Sequence, residues 1–293
     1  MEARELKVKK GMNQMNEKKK QESTKKIPVI TKIEAQKRSE RYNIYLDGEY
    51  AFPIDEAILV KYVLHKGMEV TESFQKELET EDGLWKAYNR ALNYLNYGLR
   101  SEKEVRDDLL KHEFTIETVI SVVEKLKEQK YIDDLVYGES YTRTGANIGG
   151  KGPIVIKQEL KRRGLDEATI LKALEQYPFE QMVENGVAIG AKVIRRATEH
   201  SSRETRHKVQ QTLMQKGFSS EVISIVLENI DTVKDDEDEY EALKKQGEKL
   251  WRKNERIKGF KKIQKVKTSL FQKGFPGDLI NQFIEEKELE EDE

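Results

Sequence analysis

Fixed positive charge is the chemistry this chain is equipped for, because its lysines and arginines gather in runs that few carboxylates interrupt. Residues 244–273 hold twelve Lys or Arg against two Glu. Residues 143–172 hold Arg143, Lys151, Lys157, Lys161, Arg162, Arg163 and Lys172 against Glu159, Asp166 and Glu167. Residues 192–217 hold Lys192, Arg195, Arg196, Arg203, Arg206, Lys208 and Lys216 against Glu199 and Glu204. Cations without matching carboxylates suit a polyanion, and a phosphate backbone held this way gives salt-sensitive binding. Polyanion contact is expected of the 244–273 run, which is too one-sided for a mixed solvated face. For the other two runs an ordinary solvated helix face is an equal reading. Acidic blocks at 235–241 and 285–293 bring the formal net charge to -1, so the chain as a whole is no polybasic coat. The candidate contacts are Lys151, Lys157, Lys161, Arg162, Arg163, Arg195, Arg196, Arg203, Arg206, Lys261, Lys262 and Lys265. DNA phosphate and an acidic protein surface both fit this set.

Other chemistry finds little support. The absence of cysteine removes disulfides, thiolate metal sites and thiol nucleophiles, and agrees with a cytoplasmic location. The histidines His65, His112, His200 and His207 have no metal-ligand spacing. Gly149-Gly150-Lys151-Gly152 lacks the frame of a phosphate loop and is expected to link two helices, with phosphate contact as a minor alternative. Asp133-Asp134 reads as a helix cap, since adjacent carboxylates on a helix point to different faces. We expect no enzyme, no cofactor and no catalytic or metal-binding residue. No apolar run approaches the roughly 20 residues of a membrane span, so no membrane partner is expected.

The elements that must position the cations repeat along the chain. Four segments share one template: a Leu, a large apolar residue five positions later, then apolar positions four, five, eight and nine beyond it, except that Thr118 and Thr169 take the first of these four places in the first two copies. The Leu and anchor pairs are Leu109 and Phe114, Leu160 and Leu165, Leu213 and Phe218, and Leu270 and Phe275. Apolar positions with that spacing lie on one face of a helix. Gly164, Gly217 and Gly274 precede three of the anchors and suit a helix C′ position. Thr115, Asp166 and Ser219 follow as N-caps, and Pro276 stands in the fourth copy as a first-turn proline. A further helix precedes each pair, near 84–97, 134–147, 180–198 and 237–254. Ser101 with Glu104 and Ser201 with Glu204 are capping boxes, and Pro153 marks another helix start. The fold class is therefore mainly α: about four tandem three-helix repeats in an elongated curved array, with a small N-terminal β-hairpin module.

Ahead of the repeats, apolar alternation around Asp47-Gly48 reads as a hairpin of two or three strands, and Asp55 caps a short helix running to about Leu64. The expected domains are a disordered basic arm at 1–26, the β-rich module at 27–80, repeats at 84–132, 133–178, 180–231 and 236–287, and an unstructured acidic tail at 288–293. Met12 and Met15 are alternative starts.

Several of these segments resemble one family. The run Ser101-Glu102-Lys103-Glu104-Val105-Arg106-Asp107-Asp108-Leu109, then Tyr131-Ile132-Asp133-Asp134 and Tyr137-Gly138-Glu139-Ser140-Tyr141, is similar to the RecX regulatory proteins of bacteria. So are Gly152 with Ile156, Glu159-Leu160 and Gly164-Leu165. The likeness runs from about residue 84 onward, and the hairpin module looks like the N-terminal extension of the longer Gram-positive members. The resemblance implies tandem three-helix units, which the repeat gives independently. It also implies a place in DNA repair, recombination and the SOS response. The implied partner is the RecA filament on single-stranded DNA, modulated and usually inhibited by a protein that lies in its groove and blocks extension or promotes disassembly. It brings no catalytic residues. A monomer is expected, and the alternative is a stand-alone nucleic-acid-binding helical module that does not depend on RecA. The arm at 1–26 departs from the family pattern.

Overall fold

The computed structural model describes residues 26–37 and 40–292, so the expected basic arm lies, but for Lys26, outside the described residues. Among the described residues, three strands and thirteen helices form two compact units. One comprises the residues up to Gly98 with Val105–Tyr131, the other Leu99–Glu104 with the residues from Ile132 on.

In the first unit, β1 (Ile30–Ala35), β2 (Arg41–Leu46) and β3 (Glu49–Asp55) form an antiparallel sheet in that order. Asp47 and Gly48 close the β2–β3 hairpin with φ of 48° and 93°. Both residues are left-handed, as the two-residue turn matching the strand twist requires. Asp55 caps α1 (Glu56–Lys61) by accepting from the Ala57 amide at 3.1 Å, as the sequence predicts. The sheet buries Ile30, Ile44, Phe52 and Ile54 against Ile58, Leu64, Val70 and Leu78.

Leu78 belongs to α2 (Glu72–Leu95), which begins twelve residues before the expected start. Thr71 caps it by accepting from the Phe74 amide at 3.2 Å. The helix carries Gly83 and the polar residues Glu79–Asp82 inside one continuous span. Its first half therefore serves the sheet. Its second half, with Ala87 and Ala91 buried, packs on α4 (Ile116–Glu128). Between them runs α3 (Glu102–Lys111). Asp82 ties helix to sheet: the Arg41 guanidinium donates to it at 3.1 and 2.8 Å and the Asp55 amide at 2.8 Å.

The second unit holds three triplets: α5 (Asp134–Asn147), α6 (Pro153–Arg162) and α7 (Glu167–Leu174); α8 (Phe179–Arg196), α9 (Ser202–Gln215) and α10 (Ser220–Asn229); α11 (Asp236–Lys253), α12 (Phe260–Gln272) and α13 (Gly277–Asp292). The template residues form the cores. Ile156, Leu160, Leu165 and Ile170 share one cluster with Leu213, Phe218, Val222 and Val226. Val266, Leu270, Phe275 and Phe283 form another. The first helix of each triplet meets the third at a glycine. A Cβ on Gly138, Gly186 or Gly247 would stand 2.9 Å from Ala173, 2.5 Å from Val226 or 2.5 Å from Phe283. Two expectations change at the end of the chain. Helix α13 starts just after Pro276, whose carbonyl accepts from the Ile280 amide at 3.1 Å. The segment 288–292, expected as an unstructured tail, continues α13, because glutamates extend a helix already nucleated by the buried Phe283 and Ile284.

A recurrent joint links successive middle helices. The Ser101 hydroxyl at the start of α3 donates to the Arg163 carbonyl at the end of α6, at 2.7 Å. The Gly152 and Ile154 amides at the start of α6 donate to the Lys216 and Gly217 carbonyls after α9, at 2.7 and 3.0 Å. The Ser201 hydroxyl at the start of α9 donates to the Lys273 carbonyl after α12, at 2.6 Å. Donors left over at one helix start thus meet acceptors left over at another helix end. The receiving turns centre on Gly164, Gly217 and Gly274, with φ of 90°, 86° and 87°. A Cβ there would lie 2.5 Å from Lys103 Cβ, 2.6 Å from the Val155 amide nitrogen and 3.0 Å from Ser201 Oγ. The matching place after α3 holds exposed Glu113 with φ 64°. That turn needs the conformation but not the bare backbone.

Candidate nucleic-acid interface

Three of the expected contact residues are engaged by their neighbours, Lys262 buried and Lys151 and Arg163 half-buried. The Lys151 ammonium donates to Glu159 at 2.7 Å and to the Tyr141 hydroxyl at 3.2 Å, and the Glu159 carboxylate raises its pKa. Burial pushes the Glu159 carboxyl up, but the Lys151 and Tyr141 hydrogen bonds outweigh it and hold the group low. The Arg163 guanidinium lies over the Tyr141 ring at 4.5 Å and donates to the Glu159 carbonyl at 3.2 Å. Beside them, burial pushes the Tyr137 hydroxyl up to about 12. Lys262 is only 6 % exposed and sits 4.0 Å from the centre of the Trp251 ring. Sequence counts such charges, but side-chain direction decides where they point.

The glycine loop links α5 to α6, as expected. Its amides are largely committed: Gly149 donates to Thr144, Lys151 to Gly145 and Gly152 to Lys216. That leaves little of a phosphate cradle. Asp133 caps α5 by accepting from the Leu135 and Val136 amides at 2.9 and 3.1 Å. Asp134 accepts instead from the Glu102 amide at 2.8 Å and so caps α3. Among the described residues, no group of three or more His, Cys, Asp or Glu is placed to hold a metal ion.

The remaining candidates face solvent. Lys161 and Arg162 end α6, and Arg195 and Arg196 end α8. Lys157 is half-exposed and pairs with Glu167. An exposed pair of that kind contributes under about 1 kcal/mol, so a phosphate can replace the carboxylate. Arg203 and Arg206 line a cleft of about 630 Å³ at the α9–α12 joint. His207 and Gln210 of α9 share it with Phe271, Gln272 and Lys273. Glu204 is its one carboxylate, and it faces His200 Nδ1 at 3.0 Å and Lys208 at 3.9 Å. A second recess, of about 520 Å³, runs along α12 and contains Phe260, Lys261, Gln264 and Lys265. The structure thus places Arg203, Arg206, Lys261 and Lys265 around one helix and its joint, while Lys161, Arg162, Arg195 and Arg196 lie on other helices. Charge counting misses His207 and the two exposed phenylalanines, and the candidate set leaves out Lys273. Phe260 and Phe271, three helical turns apart on a helix without an acidic residue, are the signal that could have found them.

Comparison with known proteins agrees with the repeat. Residues 28–71 match the regulatory protein RecX N-terminal domain. Residues 87–126 match the first three-helix domain of RecX and 133–174 the second. The third matches twice, over 180–227 and 236–284. The regulatory protein RecX of Levilactobacillus brevis is 41 % identical over 258 residues, 88 % of this chain and 97 % of that protein. That of Bacillus subtilis is 38 % identical over 263 residues, 89 % of this chain and 100 % of its own. A crystal structure of regulatory protein RecX superposes with a TM-score of 0.60 at 41 % identity, covering 69 % of this chain and 100 % of the other. The RecX structure from Lactobacillus salivarius gives 0.50 at 37 % identity, over 52 % and 99 % of the two chains. No described helix is long and apolar enough to cross a membrane.

Proposed function

Because the chain belongs to the RecX family of regulatory proteins, we propose that it is a non-enzymatic regulator that binds RecA polymerised on single-stranded DNA and inhibits it. It lies in the filament groove as a monomer and blocks extension or promotes disassembly. The exposed cations make the contact: Lys161, Arg162, Arg195, Arg196, Arg203, Arg206, Lys261 and Lys265, with Lys157 joining them. Lys151, Arg163 and Lys262 contribute by holding their helices.

The observation that carries this reading is the cation-rich recess at the α9–α12 joint, where Arg203, Arg206 and Lys273 meet a single carboxylate that is already answered from behind. A surface of that kind favours the charged groove of a nucleoprotein filament over a neutral partner. The test is the single-stranded-DNA-dependent ATPase and strand exchange of a bacterial RecA, measured with substoichiometric protein added. We expect both to fall, and to fall less with Arg203→Gln/Arg206→Gln. No effect of the wild-type protein on either activity sinks the reading.

A further inference from the structure

The outward face of α12 has a composition that charge alone does not explain. Phe260 is 73 % exposed and Phe271 64 %. Single exposed apolar residues are ordinary. These two, eleven residues apart, fall on nearly the same side of one helix, roughly 16 Å from each other along its axis. Lys261, Gln264, Lys265 and Thr268 fill the face between them. The helix carries no carboxylate. Lys261 and Lys265 have no ion-pair partner among the described residues, whereas buried Lys262 covers Trp251 and half-buried Lys267 donates to Asn281 at 2.9 Å. At the far end of the helix, Lys273 and Arg203 continue the positive charge into the cleft.

We propose that this face binds single-stranded nucleic acid directly, with bases stacking on Phe260 and Phe271 and phosphates held by Lys261, Lys265, Lys273 and Arg203. Each part of the face has a counterpart in such a strand. A phenyl ring offers a flat apolar surface that any base can stack on, and cations between rings track the backbone. Gln264 and Thr268 supply neutral hydrogen-bonding groups that suit base edges or sugar oxygens. A duplex hides the faces of its bases and would leave both rings in water. An acidic protein surface would use the lysines but not the rings. At the 3.4 Å rise of a stacked strand, the distance between the rings spans about five nucleotides.

The proposal rests on the preceding reading in taking α12 as part of the contact surface, yet it is tested without RecA. The full chain is titrated against three fluorescein-labelled probes by fluorescence anisotropy at several salt concentrations: oligo(dT), an abasic strand of the same length, and a duplex. Oligo(dT) is expected to bind at least tenfold more tightly than the abasic strand, about 1.4 kcal/mol. Phe260→Ala/Phe271→Ala should remove most of that difference and leave the salt slope unchanged. Phe260→Leu/Phe271→Leu, which keeps apolar area and loses the rings, should behave like the alanine variant. Lys261→Gln/Lys265→Gln should lower the salt slope by about 1.4, the value for two single-strand phosphate contacts. Equal binding of oligo(dT) and the abasic strand, full activity of either Phe variant, or no binding to any probe overturns the proposal. If binding fails while substoichiometric protein still inhibits RecA, stacking is wrong and the regulatory reading stands. If oligo(dT) binds as expected while RecA is unaffected, the reverse holds.

Discussion

At the scale of single residues, Asp82 shows how a buried charge is made useful. It is 3 % exposed and pairs with Arg41 and Lys86, each at 2.8 Å. Burial pushes its carboxyl up, and the Arg41, Lys86 and Asp55 hydrogen bonds more than offset this, so its pKa falls below the ordinary value. Because the folded pKa is depressed, the stabilisation is fully present above the unfolded value of about 3.9 and is lost as the pH falls through the folded one. Asp82→Asn leaves the Arg41 guanidinium facing a neutral group in a buried site and should lower the stability of the first unit by about 3 kcal/mol at neutral pH. Urea unfolding followed by Trp85 fluorescence in a Trp251→Phe background measures it. The urea midpoint of the parent should drop as the pH falls below about 4, and that of the variant should change much less. None of this is legible in the sequence, because Arg41 and Asp82 are brought together only by the fold.

Among the elements, the joint between middle helices makes the sharpest prediction. Gly217 combines φ 86° with an approach that would put a Cβ 2.6 Å from the Val155 nitrogen. Gly217→Ala should therefore cost about 2–3 kcal/mol, from left-handed strain together with overlap. Gly277→Ala, where a Cβ meets nothing within 4 Å, is the control and should be neutral within about 0.5 kcal/mol. Thermal unfolding of the two variants side by side decides the matter, and equal melting temperatures would remove the joint as a source of stability. Much at this scale can be read in advance. The Gly-apolar-cap pattern locates the turns after α6 and α9, and the hairpin at Asp47-Gly48 follows from two residues. The early start of α2 does not, because packing against the sheet carries the helix through Gly83 and its polar neighbours. The partner of each joint glycine is equally hidden, since the pattern records the need for glycine and not what stands against it.

For the molecule as a whole, the cores divide differently from the repeats. The triplets α5–α7 and α8–α10 share one apolar cluster, whereas α11–α13 keep their own. Leu213→Ala should therefore raise amide hydrogen exchange across α5–α10, and Phe283→Ala should raise it within α11–α13 alone, each variant losing about 3–5 kcal/mol locally. Exchange that spreads equally from both substitutions would contradict the division. The candidate surface was legible here only as charge. Arg203, Arg206, Lys261 and Lys265 lie on α9 and α12, whereas Lys151, Arg163 and Lys262 lie over the rings of Tyr141 and Trp251, because a long aliphatic stem can carry its charge over a half-buried ring.

The joint also bears on heredity. A unit such as 180–231 carries both halves of the contact: Gly217, which receives the helix start before it, and Ser201, which seats itself on the turn after it. A tandem duplication of its coding segment therefore copies a complete connector, and the new unit fits between its neighbours without compensating substitutions. Two successive stretches of this chain match the same third three-helix domain.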